Sequence, residues 1–307
     1  MPVLAAARRW GPCLTLLFAV GAGPLAAQAP DHPRVDWWPD HPTQGTLIRI
    51  RVSGPEDAVA VLGSLAGEAL HFALDSNGTR SSLGGLPVDA PSSLPLIIVL
   101  QTATRRDTIT VPLRVDPGAF TSERLRVAPE FGHPPDNATA ARIARDNARA
   151  REVSRRAHDT PLLWREPFLR PRDSRITGRF GHIRSFNGRV QSRHNGLDFA
   201  GEDGAPVQAA ARGVVALVQD FYLAGKVVYL DHGAGLVTAY FHLSRADVAQ
   251  GDTVEAGQEL GAVGHSGRVT GPHLHWVVRY GRINVDPLSL LGLNPGQDTL
   301  APPPPVR

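Results

Sequence analysis

Cysteine and lysine are almost missing from the sequence, which has one of each in 307 residues. Cys13 lies in the N-terminal apolar stretch, so the rest of the chain can form no disulfide, thiolate metal site or cysteine nucleophile. Lys226 is far from a suitable turn, although GDTVEAGQELGAVG has the β-hairpin character of lipoyl- and biotinyl-type carrier domains. The sequence therefore excludes cysteine chemistry and a carrier role.

A strong excess of one charge is also missing. The formal net charge is +3, and loss of Arg8 and Arg9 with a cleaved leader would leave about +1. A balance this close to neutral does not indicate nucleic acid as a partner.

Residues 1–29 have the features of a secretory signal peptide. A basic start with Arg8 and Arg9 is followed by an apolar run and by small residues before Pro30. The apolar run is too short, and too often broken by glycine and proline, to favour a transmembrane anchor. We therefore expect export to the periplasm or the extracellular space, with no stable membrane anchor after cleavage.

The remaining chain predicts a mainly β protein with two domains. Residues 30–117 contain short alternating strands separated by turn residues, typical of an immunoglobulin-like β-sandwich that would serve as an accessory domain. Residues 118–160 predict a linker with a helix that begins near Asp136, capped by Asn137 or Thr139. Residues 161–292 are again β-rich, and the proline-rich residues 293–307 predict a disordered tail.

Histidines and one aspartate in the second domain form the candidate site. His194 and Asp198 are four residues apart, and His273 and His275 alternate, so each pair can share one face of an extended segment. His242 is placed by the same alternation on one strand face with Thr238 and Tyr240. A catalytic zinc needs three protein ligands and one open position, so five candidates leave two for acid–base work. Spacing alone does not say which histidines bind the metal.

Four segments of this domain resemble, in order, the M23 (lysostaphin/LytM-type) metallopeptidase domain. They are HNGLDFAGEDGAPVQAAARGVVA, VVYLDHGAGLVTAYFHLS, GDTVEAGQELGAVGHSG and GPHLHWVV. The resemblance implies a LytM-type antiparallel β-sheet and one Zn²⁺ per chain, held by His194, Asp198 and His275. It also implies that His273 is the general base and that His242 helps to activate water and to stabilise the oxyanion.

The resemblance further implies a substrate, the peptide stems of peptidoglycan. In a Gram-negative cell this implies a D,D-endopeptidase that cuts D-Ala–diaminopimelate cross-links. A glycine-bridge cutter and an elastolytic and bacteriolytic secreted protease are alternatives that the sequence does not separate from it. His182, Arg184 and His265 are expected to line the substrate cleft. The alternative is a non-catalytic LytM-type activator of cell-wall amidases, a class that typically lacks zinc ligands or catalytic histidines. Protein partners are not predicted.

Overall fold

The structure is a computed structural model that describes residues 33–293, apart from 54–57, 75–78 and 166. The predicted signal peptide lies outside the described residues, as does all of the predicted tail except Leu293. The described chain is mainly β, as predicted. Among the described helices, none is long and apolar enough to cross a membrane.

The N-terminal unit consists of two four-stranded antiparallel sheets. The burial of Ile48, Ile50 and Val52, which alternate with arginines, shows why this segment forms a strand with one face in the core. The first sheet has the order β1-β2-β6-β5 and the second β4-β3-β7-β8. Their bounds are β1 Arg34–Trp38, β2 Leu47–Ser53, β3 Ala60–Leu65, β4 Glu68–His71, β5 Ala73–Leu74, β6 Arg80–Gly85, β7 Ser93–Gln101 and β8 Arg106–Arg114. The immunoglobulin-like connectivity stays a prediction.

The segment between the two units is bound to the second unit along much of its length. Strand β9 (Ser122–Leu125) is followed by a 3-10 turn at Pro129–Phe131 and by helix α1 (Asn137–Arg156). The predicted helix is confirmed, but its N-cap is Asp136 instead of Asn137 or Thr139. The extended backbone of Asp136 lets its carboxylate accept a 2.7 Å hydrogen bond from the Thr139 N–H. Ala150 and Val153 of α1 pack on the sheet of the second unit.

The C-terminal unit contains one large sheet whose strands all pair antiparallel. Its central path is β10-β13-β20-β17-β16-β15-β18, while β14 and β19 join at β17 and β21 joins at β20. A smaller sheet has the order β12-β11-β9, with β9 parallel to β11. The bounds are β10 Ile176–Gly178, β11 Ile183–Phe186, β12 Val190–Arg193, β13 Leu197–Ala200, β14 Pro206–Gln208, β15 Gly213–Phe221, β16 Gly225–Gly233, β17 Leu236–Ala246, β18 Thr253–Val254, β19 Glu259–Val263, β20 His273–Tyr280, β21 Ile283–Val285 and α2 Pro287–Gly292.

The two units share one apolar core. A single cluster of buried side chains runs from Leu47 and Ile48 of the sandwich to Tyr280 and Val285 of the large sheet. Polar contacts close the junction: the Tyr280 hydroxyl donates to the Ala69 carbonyl at 2.8 Å. The large sheet is therefore supported from behind, on the face opposite to the candidate site.

Because this core is continuous, Ile48→Ala should destabilise both units together. The variant should lower the free energy of unfolding by about 2–5 kcal/mol, the usual cost of such a core truncation. Scanning calorimetry should show one transition shifted as a whole, whereas Val59→Ala, at a position 66% exposed, should barely shift it. An early transition that leaves a second one at the wild-type temperature would contradict a shared core.

Candidate metal centre and catalytic groove

Two neighbouring strands place the central pair of the site. In the register of β13 against β20, Asp198 lies directly opposite His275. His194 reaches the same point through the turn before β13, and this turn depends on Gly196. A Cβ on Gly196 would lie 2.8 Å from Cε1 of His275, so no larger residue fits beside that ring.

His194, Asp198 and His275 form a triangle of three ligand atoms. His194 Nε2 lies 2.9 Å from His275 Nδ1 and 3.0 Å from Asp198 Oδ1. His275 Nδ1 lies 2.7 Å from the same carboxylate oxygen. All three residues are buried, and they are the group among the described residues with the spacing of a metal site.

The hydrogen bonds of the other two ring nitrogens, His194 Nδ1 and His275 Nε2, show where each ring carries its proton. His194 Nδ1 lies 2.6 Å from the Arg179 carbonyl, which can only accept, so this nitrogen carries the proton. His275 Nε2 lies 3.2 Å from Asn195 Oδ1 and is likewise the donor. In the neutral rings, His194 Nε2 and His275 Nδ1 therefore present lone pairs to each other and to a carboxylate. Three converging hydrogen-bond acceptors repel one another unless a cation lies among them. Two imidazole nitrogens and one carboxylate oxygen are suitable ligands for a divalent metal.

A partly buried chain of ion pairs holds the other carboxylate oxygen of Asp198. Arg184 donates to Asp198 Oδ2 at 2.7 Å and also pairs with Glu123 of β9. Its side chain is 13% exposed. A Cβ on Gly178 would collide with both partners of the Arg184–Asp198 pair, so this position needs glycine. The arrangement leaves Asp198 Oδ1 alone to face the two histidines.

Two more histidines lie beside the triangle, and in each of them one ring nitrogen is hydrogen-bonded to a backbone carbonyl, as in His194. His273 Nδ1 donates to the Gly271 carbonyl, and His242 Nδ1 donates to the Ser266 carbonyl, each at 2.8 Å. The two ring centroids are 5.0 Å apart. His273 Nε2 lies 3.7 Å from Asp198 Oδ1. Each neutral ring thus presents Nε2 as a proton acceptor next to the candidate metal ligands.

The predicted alternation on β17 is wrong at His242. Tyr240 packs in the core on the far face of the sheet, where its hydroxyl accepts from the Ala210 N–H. Between Lys226 and Val228 the pairing with β17 shifts by one residue, and His242 has a φ of 62°. This β-bulge turns His242 back to the face that carries His273. A left-handed non-glycine residue is costly, and such strain is typically found next to functional sites.

Burial controls the ionisation of the cluster. It lowers the pKa of His275 to about 4, and together with the adjacent His273 it lowers the pKa of His242 well below its usual value. Burial alone would raise the pKa of Asp198. The close contacts with the His194 and His275 rings outweigh burial and hold that pKa well below the ordinary range. At neutral pH His242 and His275 are therefore neutral and Asp198 is ionised.

The cluster opens into a cavity of about 1120 Å³. Of the residues predicted to line the substrate cleft, Arg184 does line this cavity, but both its carboxylate partners are protein groups. His265 is an exposed side chain whose Nδ1 lies 2.6 Å from Asp203 Oδ2. His182 is half-buried, and its backbone carbonyl accepts from the His194 N–H at 2.8 Å. These placements make Arg184 and His182 supports of the cluster.

Sequence reasoning missed three groups that hold the ligands. Asn195 is adjacent to a predicted ligand and could have been considered from the NG turn. The carbonyl of Arg179 leaves no mark in a sequence. Glu123 lies in a segment predicted to be a linker, and only the parallel pairing of β9 with β11 brings it to Arg184.

Comparison with known protein families decides what this geometry belongs to. Residues 192–287 match the model of peptidase family M23. These residues are a peptidase family M23 domain. The match includes all five clustered side chains, at positions 194, 198, 242, 273 and 275. The match implies a metal, and His194, Asp198 and His275 are the cluster that fits one.

Two relatives of the M23 domain are DD-peptidases by name. Peptidoglycan DD-endopeptidase ShyA of Vibrio cholerae is 46% identical over 83 residues, which are 27% of this chain and 19% of ShyA. DD-carboxypeptidase/endopeptidase Mpg of Neisseria meningitidis is 41% identical over 97 residues, 32% of this chain and 22% of Mpg. The chain thus spans only about a fifth of the length of these relatives.

A solved structure is similar beyond the M23 domain. The crystal structure of a Pseudomonas aeruginosa protein assigned to peptidase M23 has a TM-score of 0.62 and 26% identity. The similarity covers 82% of this chain and 95% of that one. It therefore extends from the M23 domain into the units that precede it.

If the Arg184–Asp198 pair orients the ligand oxygen, Arg184→Met should weaken metal binding. Loss of a partner that orients a metal ligand typically lowers the affinity about 10–100-fold. Competition with a zinc chelator measures this change. Arg189→Met, at an exposed position in the turn between β11 and β12, is the matched control and should keep wild-type affinity. An unchanged affinity in Arg184→Met would show that Asp198 needs no such support.

Proposed function

We propose that the protein is a zinc endopeptidase that hydrolyses the peptide cross-links of bacterial peptidoglycan. One observation carries the proposal. Three buried lone-pair ligands, His194, Asp198 and His275, converge beside two further histidines that have a free acceptor nitrogen. Ligand set and acid–base groups therefore occur together in one cavity of an M23 domain.

Zinc is the metal that this ligand set suits best. Two imidazole nitrogens and one carboxylate oxygen are ligands that zinc accepts, and three protein ligands leave one coordination position for water or substrate. When bound, the ion would act as a Lewis acid on the amide carbonyl and on water. We assign one Zn²⁺ per chain to these three residues.

His273 and His242 supply the proton transfers. His273 donates from Nδ1 to a carbonyl and directs its Nε2 to the ligand triangle, where this nitrogen can accept a proton from the attacking water. The same proton must then reach the leaving amine. His242 is also neutral with Nδ1 bound to a carbonyl, so its Nε2 can donate to the oxyanion only after it has taken up a proton. The two rings, 5.0 Å apart, can share that role.

The names of the relatives support the substrate. ShyA and Mpg are both described as acting on D,D bonds, and the first as acting on peptidoglycan. We therefore assign the peptide stems of peptidoglycan as substrate and a D,D cross-link as the bond that is cut. The composition of residues 1–29 supports export to the periplasm or beyond. The preceding sandwich, residues 30–117, is proposed as an accessory domain that backs the peptidase sheet.

A non-catalytic activator of amidases would not need this cluster. In this chain, ligand and acid–base positions are all filled by residues that can do the chemistry. The enzyme is therefore favoured, and metal content separates the two functions.

Zinc content and digestion of purified peptidoglycan test the assignment with two neighbouring variants. His275→Ala should lose the zinc and the activity. His273→Ala should keep the zinc while its rate falls about 10²–10⁴-fold, the usual contribution of a general base. His41→Ala, at an exposed position in the N-terminal unit, should keep both.

Two results would contradict the proposal in different ways. Wild-type protein that binds no zinc after reconstitution would rule out the enzyme and favour the amidase activator. Equal loss of zinc in both variants would leave an enzyme, but with His273 acting as a ligand.

A further inference from the structure

Arg279 is a buried cation with few polar partners among the described residues. The residue is 8% exposed, and its Nε is buried with no hydrogen-bond partner. Its side-chain hydrogen bond is a long one, 3.4 Å from Nη2 to the Arg282 carbonyl. Among the described residues, no carboxylate forms an ion pair with it. Burying an unpaired charge is costly, so a guanidinium in this state calls for an anionic ligand.

Arg279 lies on the floor of the same cavity as the metal cluster. His273, His275, Val277 and Arg279 occupy alternate positions of β20 and share its groove face. Four residues of strand separate Arg279 from His275, which corresponds to about 13 Å. A bound peptide would need about four extended residues to reach from one to the other.

A second arginine stands at the edge of this end of the cavity. Arg151 of α1 also lines the cavity. Burial lowers the pKa of Arg279, and the positive charge of Arg151 adds to this effect, while Tyr229 and Glu68 oppose it. Arg151 and Arg279 are therefore within electrostatic reach of each other. Two like charges at one cavity end repel, and an anion between them would remove that repulsion.

The acidic groups around this end already have partners. Glu68 is paired with Arg282 and with His158. Asp146 of α1 accepts a 2.8 Å hydrogen bond from the Tyr222 N–H. Tyr229, which also lines this end, is neutral because burial raises the pKa of its hydroxyl. None of these acidic groups forms a direct ion pair with Arg279, and a ligand carboxylate would supply that contact.

We propose that Arg279 and Arg151 form a subsite that binds a free carboxylate of the peptide substrate, about four residues along the groove from the metal cluster. The inference rests on the proposed function and adds a specificity determinant to it. Guanidinium groups bind carboxylates through paired, charge-assisted hydrogen bonds, and such a contact gains strength in a buried cavity. Anchoring one end of an extended peptide would fix which amide reaches the cluster.

Binding of two matched ligands to the zinc-loaded full chain tests the subsite. The ligands are a cross-linked peptidoglycan peptide dimer and the same dimer with its carboxylates converted to amides. Binding is measured in a His273→Ala background, which prevents turnover. Arg279→Met and Arg151→Met are compared with Arg145→Met, an exposed arginine of the same helix. Zinc content and the thermal midpoint check that each variant is folded, and Arg279→Lys retains the charge.

We expect Arg279→Met to weaken binding of the free-acid dimer at least about 10-fold, the scale of a lost charged hydrogen bond. Arg151→Met should have a smaller effect, Arg279→Lys should recover part of the affinity, and Arg145→Met should have none. The amidated dimer should bind weakly, with no further loss in Arg279→Met.

Equal effects of Arg279→Met on both ligands, or no effect on either, would overturn the subsite. Cleavage by the wild-type chain separates this failure from a failure of the proposed function. Equal cleavage of both dimers would leave the endopeptidase standing without the subsite. A wild-type chain that binds zinc but neither binds nor cleaves the dimers would overturn both.

Discussion

Three lone pairs that face each other in a buried pocket are the constraint on which the rest of this structure depends. His194 Nε2, His275 Nδ1 and Asp198 Oδ1 lie 2.7–3.0 Å apart, and the protons that could relieve the repulsion sit on the opposite ring nitrogens. A divalent cation turns this mutual repulsion into three attractive contacts. The backbone carbonyl of Arg179 and the side chain of Asn195 fix the tautomers of His194 and His275, so the ligand atoms are preorganised for metal binding.

Support for this triangle comes from parts of the chain that are distant in sequence. Glu123, in the segment ahead of the M23 domain, holds Arg184, which in turn holds Asp198. Helix α1 forms one wall of the groove, and the sandwich packs against the back of the sheet. The segments before residue 161 therefore help to hold the metal ligands and to form the groove. This dependence explains why an M23 domain of 96 residues lies within a much larger continuous core.

Sequence patterns predicted the members of the cluster better than their surroundings. Alternation in β20 placed His273 and His275 on one face, and the turn at Gly196 carries His194 towards Asp198. The same rule failed at His242, because a bulge breaks the period of two and a pattern of residue types does not show where a bulge occurs. Arg184 was predicted to touch substrate, but its acidic partners come from long-range pairing, which a local pattern cannot reveal. The unpaired state of Arg279 also depends on tertiary contacts.

The most direct test of the account is a crystal structure of the wild-type chain with anomalous diffraction collected on both sides of the zinc absorption edge. One strong anomalous peak is expected about 2.0–2.2 Å from His194 Nε2, His275 Nδ1 and Asp198 Oδ1 together. His242 and His273 should lie beyond coordination distance of that peak. A peak bound by His273 in place of His275, or the absence of a peak from zinc-reconstituted crystals, would contradict the claim that these three lone pairs form the metal centre.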